Sequence, residues 1–227
     1  MIPKIRESFN ENFNEEFYTN LQNEIAFGLG ENSAFRVSET PVFITKELKT
    51  AIFAACDAII EQLWEIDLFD IRNRFVPKHL QSPVPMGKPD TLAIDFGLCD
   101  DGNGGVTPQL IELQAFPTLF YYQPFLGEAF KKTYPNIPKK GLHYFFSGLD
   151  TEGYREELRK VILNGHNVEN VILLEVFPEK QKTRIDFWAT KKALGIDVVC
   201  MTKVIREGKK LYYEKDGRKT LIKRIYN

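Results

Sequence analysis

Cysteine is scarce in this chain: Cys56, Cys99 and Cys200 are the only three in 227 residues. They are odd in number, far apart and set in apolar stretches, which excludes a disulfide frame or a zinc site and predicts reduced, packed thiols. Charge of one sign is lacking too, with 30 Lys+Arg against 31 Asp+Glu, a net charge of -1 and a pI near 6.4. That balance argues against bulk electrostatic binding of nucleic acid or an anionic membrane. No apolar run approaches the roughly 20 residues of a membrane helix. The opening Met1–Arg6 turns acidic and amide-rich at once, unlike a secretion signal. Internal repeats, low-complexity tracts and a Gly-rich phosphate loop of the Walker or dinucleotide type are absent. His79, His143 and His166 fall in loops without ligand spacing, and neither Ser82 nor Ser147 sits in a nucleophile-elbow pattern. What is present, 43% hydrophobic and 27% charged residues with 18 Phe, predicts a soluble cytoplasmic α/β protein of one large domain or two small ones.

The apolar pattern predicts the elements. Phe13, Phe17, Leu21 and Ile25 recur every four residues, a narrow helical stripe that Gly28-Leu29-Gly30 ends. Thr45 is placed to cap a longer helix in which Leu48, Ile52, Cys56, Ile59, Leu63 and Ile66 make a buried face. Phe75 to Pro89 holds four prolines (Pro77, Pro83, Pro85, Pro89) and is read as a connector. Residues 91–98 and 109–115 are strand-like and flank Asp100–Gly105. From Phe116 to Gly141 the chain is aromatic and broken by prolines, with a short helix at Leu126–Lys132. Its cluster Phe116, Phe120, Tyr121, Tyr122 and Phe125 is read as core, with the wall of a substrate cleft as the alternative. In the last third, Thr151 caps a helix closed by Gly165, and Val171–Val176 reads as a strand buried on both faces. A helix at Lys182–Leu194 with Gly195 at its end and a strand at Val198–Met201 complete a βαβ unit. Residues 203–226 read as further strands, turning at Asp216-Gly217.

Asn103-Gly104 is the favoured centre of a two-residue type I′ hairpin. Such a turn pairs Gly102 with Gly105, Asp95 with Glu112 and Ala93 with Gln114. Alternation then sends Ile94, Phe96, Leu98, Ile111 and Leu113 to a core face, and Asp95, Gly97, Glu112 and Gln114 to the other. Opposed carboxylates repel unless a positive charge sits between them. A nearby lysine or arginine would suffice. So would a hard cation such as Mg²⁺, which takes carboxylate and amide oxygens, and Gly97 would leave room for a ligand to approach.

These residues resemble the glutathionylspermidine synthase-like branch of the ATP-grasp ligases. That family carries an Arg-x-Asp-Phe strand, then a Leu-Leu-Glu-x-Asn-Ala strand running into a Thr/Pro-rich turn. The chain reads Ala93-Ile94-Asp95-Phe96, then Leu110-Ile111-Glu112-Leu113-Gln114-Ala115-Phe116-Pro117-Thr118. Further on, Val171–Val176, Lys192–Ile196, Tyr213–Gly217 and Ile222–Tyr226 follow the family's order of strand, helix end, hairpin and final strand. The resemblance covers residues 90 to 227. It implies that Asp95, Glu112 and Gln114 bind the Mg²⁺ that carries the ATP phosphates. The departures are Ala93 for the family's Arg, Gln114 for Asn, and Phe116 for an acid in a turn one residue shorter. The family also continues where this chain reaches Asn227, so the expectation is a partial chain.

The resulting expectation is an α+β fold in three stretches. Residues 1–90 are helical, 91–165 carry the carboxylate hairpin of an ATP-grasp-like portion, and 166–227 form a βαβ pre-ATP-grasp-like unit. The expected activity is ATP- and Mg²⁺-dependent joining of a small-molecule or peptide carboxylate to an amine through an acyl phosphate. The alternative is a non-catalytic α/β module that binds a ligand or partner. A metal-free two-carboxylate hydrolase is disfavoured, because acids directly across a hairpin sit closer than the roughly 5 Å that glycosidase acids keep.

Overall fold

Local capping chemistry sets most of the helices. The computed structural model describes residues 3–81, 87–116 and 119–226, and among them the chain is mixed α/β, with seven α-helices and small sheets. It divides into two units: Met1–Arg6 with Val42–Pro117, and Glu7–Pro41 with Thr118–Asn227. Helix α1 (Pro3–Glu11) begins in the first and ends in the second. No helix of the described residues is long and apolar enough to cross a membrane.

In the first unit, the Leu48 N–H donates to Thr45 Oγ1 at 3.1 Å and starts helix α3 (Lys46–Glu65), as the cap residue requires. Its expected buried face is only half realised. Leu48 is buried, Ile52, Cys56, Ile59 and Leu63 are half-buried, and Ile66 lies past the helix end at 46% exposure. The reason is what α3 packs against: β2 of a two-stranded ribbon, β1 (Ala93–Asp100) with β2 (Val106–Gln114). A narrow ribbon covers less of a helix than a full sheet does. Helix α4 (Leu68–Phe75), capped by Asp67 accepting from the Phe69 N–H at 2.8 Å, was not anticipated. The connector after it holds a 3₁₀ turn at Lys78–Leu80. Ser82, Pro83 and Pro85 lie outside the described residues.

In the second unit, helix α2 (Glu15–Leu29) ends where Gly30 turns left-handed at φ 83° and returns its N–H to Ala26. Leu21 and Ile25 of the predicted stripe are buried there. Phe13 precedes the helix and is exposed. Helix α5 (Tyr122–Thr133) is longer than its predicted core, because Pro124 sits in the first turn, where no intrahelical N–H is lost. Helix α6 (Thr151–Leu163) is capped by Asp150, which accepts from the Gly153 N–H at 2.8 Å, one residue before the expected Thr151. Asn164 takes its left-handed end at φ 43°, and the expected Gly165 follows at φ 75°.

Strand β3 (Val171–Glu175), helix α7 (Arg184–Leu194) and β4 (Asp197–Cys200) form the expected parallel βαβ unit, and Gly195 closes the helix at φ 76°. Strands β5 (Ile205–Glu207), β6 (Lys210–Lys215) and β7 (Arg218–Ile222) make an antiparallel sheet, while β8 (Arg224–Tyr226) joins β3 in parallel on the side away from β4. Asp216 and Gly217 both take positive φ in the two-residue turn between β6 and β7, the geometry such a turn demands.

The continuous apolar run of β3 is explained by what covers it. Val171 and Leu173 pack with Leu158 and Ile162 of α6 and Ala189 and Leu194 of α7. Ile172 packs with Val199, Tyr213 and Ile222. Both faces are buried, so alternation would have been fatal to the packing.

Candidate metal centre on the β1–β2 hairpin

The three residues expected to hold a metal sit side by side, but the route to that register differs from expectation. The turn is a three-residue loop, Gly102-Asn103-Gly104, closed by the Asp101 N–H donating to the Gly105 carbonyl at 3.2 Å. Asp101 decides this. Its Oδ1 accepts from the Asn103 and Gly105 N–H groups, both at 2.8 Å. Those two donors hold its carboxyl below the usual range. An added Cβ on Gly105 would stand 2.3 Å from Asp101 Oδ2, so a larger residue there would displace the Asp101 carboxylate. Gly102 and Gly104 take φ of 78° and 81°, open to glycine without strain.

A loop one residue longer puts Leu98 opposite Pro108 and Phe96 opposite Leu110, one step out of the expected pairing. A bulge between Asp95 and Phe96 then adds Ile111 to β2 and restores the count. Asp95 therefore stands opposite Glu112, and Ala93 opposite Gln114. Pro108 is tolerated because each strand of a two-stranded ribbon is an edge strand.

The bulge has a cost for the expected faces. Ile111, expected in the core, is 68% exposed. Its side chain lies where a ligand was expected to approach: a Cβ on Gly97 would meet Ile111 Cδ1 at 3.6 Å. An extra residue rotates its neighbours out of strict alternation. Ile94, Phe96 and Leu113 are half-buried, as the core face requires, whereas Leu98 is exposed.

The electrostatics of the pair are unbalanced. Asp95 and Glu112 are both exposed, and neither is ion-paired with a lysine or arginine among the described residues. The one side-chain hydrogen bond within the trio runs from Gln114 Nε2 to Glu112 Oε1 at 2.9 Å. It holds the amide next to the carboxylate. Two carboxylates and an amide oxygen are hard donors of the kind Mg²⁺ takes. No group of three or more His, Cys, Asp or Glu side chains placed to hold a metal occurs among the described residues.

Other sequence candidates are placed as follows. Cys99 is exposed rather than packed, Cys56 and Cys200 are half-buried, and all three are free thiols. Cys200 Sγ accepts from the Phe177 N–H at 3.4 Å and lies 3.1 Å from Thr202 Oγ1. The Thr202 hydroxyl, then the Phe177 N–H, hold that thiol below its ordinary pKa. Of the aromatic cluster, Tyr121 and Tyr122 are core residues, whereas Phe116 is 56% exposed. Pro117 and Thr118 of the turn after β2 lie outside the described residues.

One important polar residue escaped sequence reasoning. Asp186 of α7 is 5% exposed, and its Oδ1 accepts from the N–H groups of Tyr121 (3.0 Å) and Tyr122 (2.8 Å). Helix α5 has no cap from its own N-cap residue, Tyr121, so Asp186 supplies one from a distant part of the chain. Burial pushes the Asp186 carboxyl up to about 6, against the two N–H donors. The signal available in the sequence was negative: a helix start with no Ser, Thr, Asp or Asn at Tyr121.

Comparison of the chain with protein-family models, curated proteins and solved structures returned no match.

Proposed function

We propose that the chain belongs to an ATP-grasp-type ligase of the glutathionylspermidine synthase-like branch, joining a carboxylate to an amine at the expense of ATP. The observation that supports this reading most is the opposed pair Asp95 and Glu112, exposed and without a basic partner among the described residues. Directly opposed like charges weaken a hairpin by a few tenths of a kcal/mol or more. A site that gains a cation turns that loss into binding energy. Asp95, Glu112 and the Gln114 side-chain oxygen fit Mg²⁺ by the chemistry of their donors. When bound, that ion would neutralise charge on the ATP phosphates.

The residues of the hairpin then act by positioning. Asp95 and Glu112, on facing strands, and Gln114, two residues along β2, would hold the ion, and through its charge the phosphate end of ATP would be kept in one orientation. The γ-phosphoryl group passes to an oxygen of the acid substrate, releasing ADP and leaving an acyl phosphate. An amine then attacks the acyl carbon and displaces phosphate, giving the amide.

Two observations favour a second reading, the non-catalytic α/β binding module. Ala93 brings no charge to the position where the family has an arginine for the transferring phosphoryl group. The Ile111 side chain stands beside Gly97.

The test is calorimetry with Mg-ATP on this chain and on any longer product of its gene. The ligase reading expects saturable binding that Asp95→Ala and Glu112→Ala each abolish. Unchanged binding in both variants removes the metal assignment. Absence of nucleotide binding in the longest product removes the ligase reading.

A further inference from the structure

Helices α2, α5, α6 and α7 of the second unit enclose a half-open cavity of about 480 Å³, within the range of small-molecule sites. Its floor is apolar, made by Leu29, Tyr121, Ala189 and Leu194. The charges stand around it. Helix α6 presents Glu152, Arg155, Glu156 and Arg159, whose spacing puts all four on one face. Glu128 of α5 and Lys192 of α7 complete the rim.

Half of these charges are already engaged. Arg155 Nη2 lies 3.5 Å from Glu128 Oε2. Lys192 Nζ donates to the Gly28 carbonyl at 2.5 Å, where the last turn of α2 leaves carbonyls free. The other three, Glu152, Glu156 and Arg159, have no side-chain hydrogen-bond or ion-pair partner among the described residues. The spacing does not forbid one. Glu157 and Lys160, one residue further along the same helix and also three apart, close to 2.8 Å. Glu156 and Arg159 have the same spacing and stay apart at the cavity.

We propose that this cavity binds a free α-amino acid with an apolar side chain. Arg159 takes the carboxylate, Glu156 and Glu152 take the ammonium, and the Leu29–Tyr121–Leu194 floor takes the side chain. The rim carries three carboxylates and three cations, so a simple anion or a simple cation gains on one side what it loses on the other. A zwitterion gains from both. An α-amino acid carries its two charges on one carbon, and therefore needs opposite charges about one helical turn apart, which Glu156 and Arg159 provide. This proposal does not depend on the ligase reading.

The experiment is calorimetric titration of the full chain, without nucleotide, with L-leucine, L-methionine and L-phenylalanine. The expected result is saturable binding of at least one. Arg159→Gln and Glu156→Gln should each weaken it about tenfold or more, the scale of a lost charge-assisted contact. For leucine, N-acetyl-L-leucine and L-leucinamide, each lacking one charge, should lose a similar factor. Glu156 is exposed, so its variant keeps its fold and carries the test if Arg159→Gln does not. Three results overturn the proposal: no saturation up to about 10 mM, variants that bind as wild type does, or blocked leucines that bind as well as leucine. None of them bears on Mg-ATP binding at the hairpin.

Discussion

Asp186 makes stability depend on pH in the direction opposite to that of a salt-bridged carboxylate. Its carboxyl is at about 6 in the folded chain, against 3.8 when unperturbed. The folded state therefore holds the proton more tightly than the unfolded state does. Below pH 3.8 both states are protonated and nothing is lost. Between about pH 4 and 6 the unfolded state gives up its proton first, so stability falls as pH rises, and above pH 6 the full loss remains. At about 1.4 kcal/mol per pH unit, the span from 3.8 to about 6 amounts to about 3 kcal/mol. Asp186→Asn isolates the effect. The amide oxygen still accepts from Tyr121 and Tyr122 but does not titrate. Urea unfolding of both proteins from pH 3.5 to 7.5 should show wild type losing about 3 kcal/mol relative to the variant as pH rises, whatever their offset at low pH. Stability curves that run parallel across the range, within about 0.5 kcal/mol, would refute the reasoning, because they would mean that burial does not penalise the charged form.

Leu173 is buried between the sheet and its helices, so Leu173→Ala should cost about 2–5 kcal/mol in the same urea assay. Asp150→Ala removes the acceptor for the Gly153 N–H. A loss of about 1 kcal/mol is expected, with faster amide exchange in the first turn of α6. Gly217 sits at φ 72°, and Gly217→Ala should lower the thermal midpoint by an amount equivalent to about 1 kcal/mol. Glu112→Ala removes one of two opposed carboxylates. In metal-free buffer it should raise the stability of the hairpin by up to about 1 kcal/mol, and Mg²⁺ should reverse the order of the two proteins in a thermal melt.

The parts legible in the sequence were those with a local cause. Thr45, Gly30 and Gly195 cap helices because a side-chain oxygen or a missing Cβ satisfies or permits the end within one turn. Asp216-Gly217 was read as a turn and is one, because both residues tolerate positive φ. Asn103-Gly104 carries the same type of signal and failed. Asp101 stands next to that dipeptide and offers a carboxylate to the N–H groups of Asn103 and Gly105, and that bond pattern holds a wider loop. The expected pairing of Asp95 with Glu112 survived only because the bulge at Ile111 compensates. Two departures of one residue each cancelled at the candidate site and left their trace between it and the turn.

By itself the sequence determined the mixed α/β class, the βαβ unit and the double-sided burial of β3, since each follows from residues within a few positions of one another. Only the tertiary structure decided which face Ile111 occupies, how much of α3 is covered, and which group caps α5. Those outcomes rest on partners far along the chain. Asp186 reaches Tyr121 across 65 residues, and a ribbon two strands wide leaves α3 half-covered. Periodicity states that a face is apolar and a helix start uncapped. What meets that face or that start is set by packing, where long-range geometry outweighs local preference.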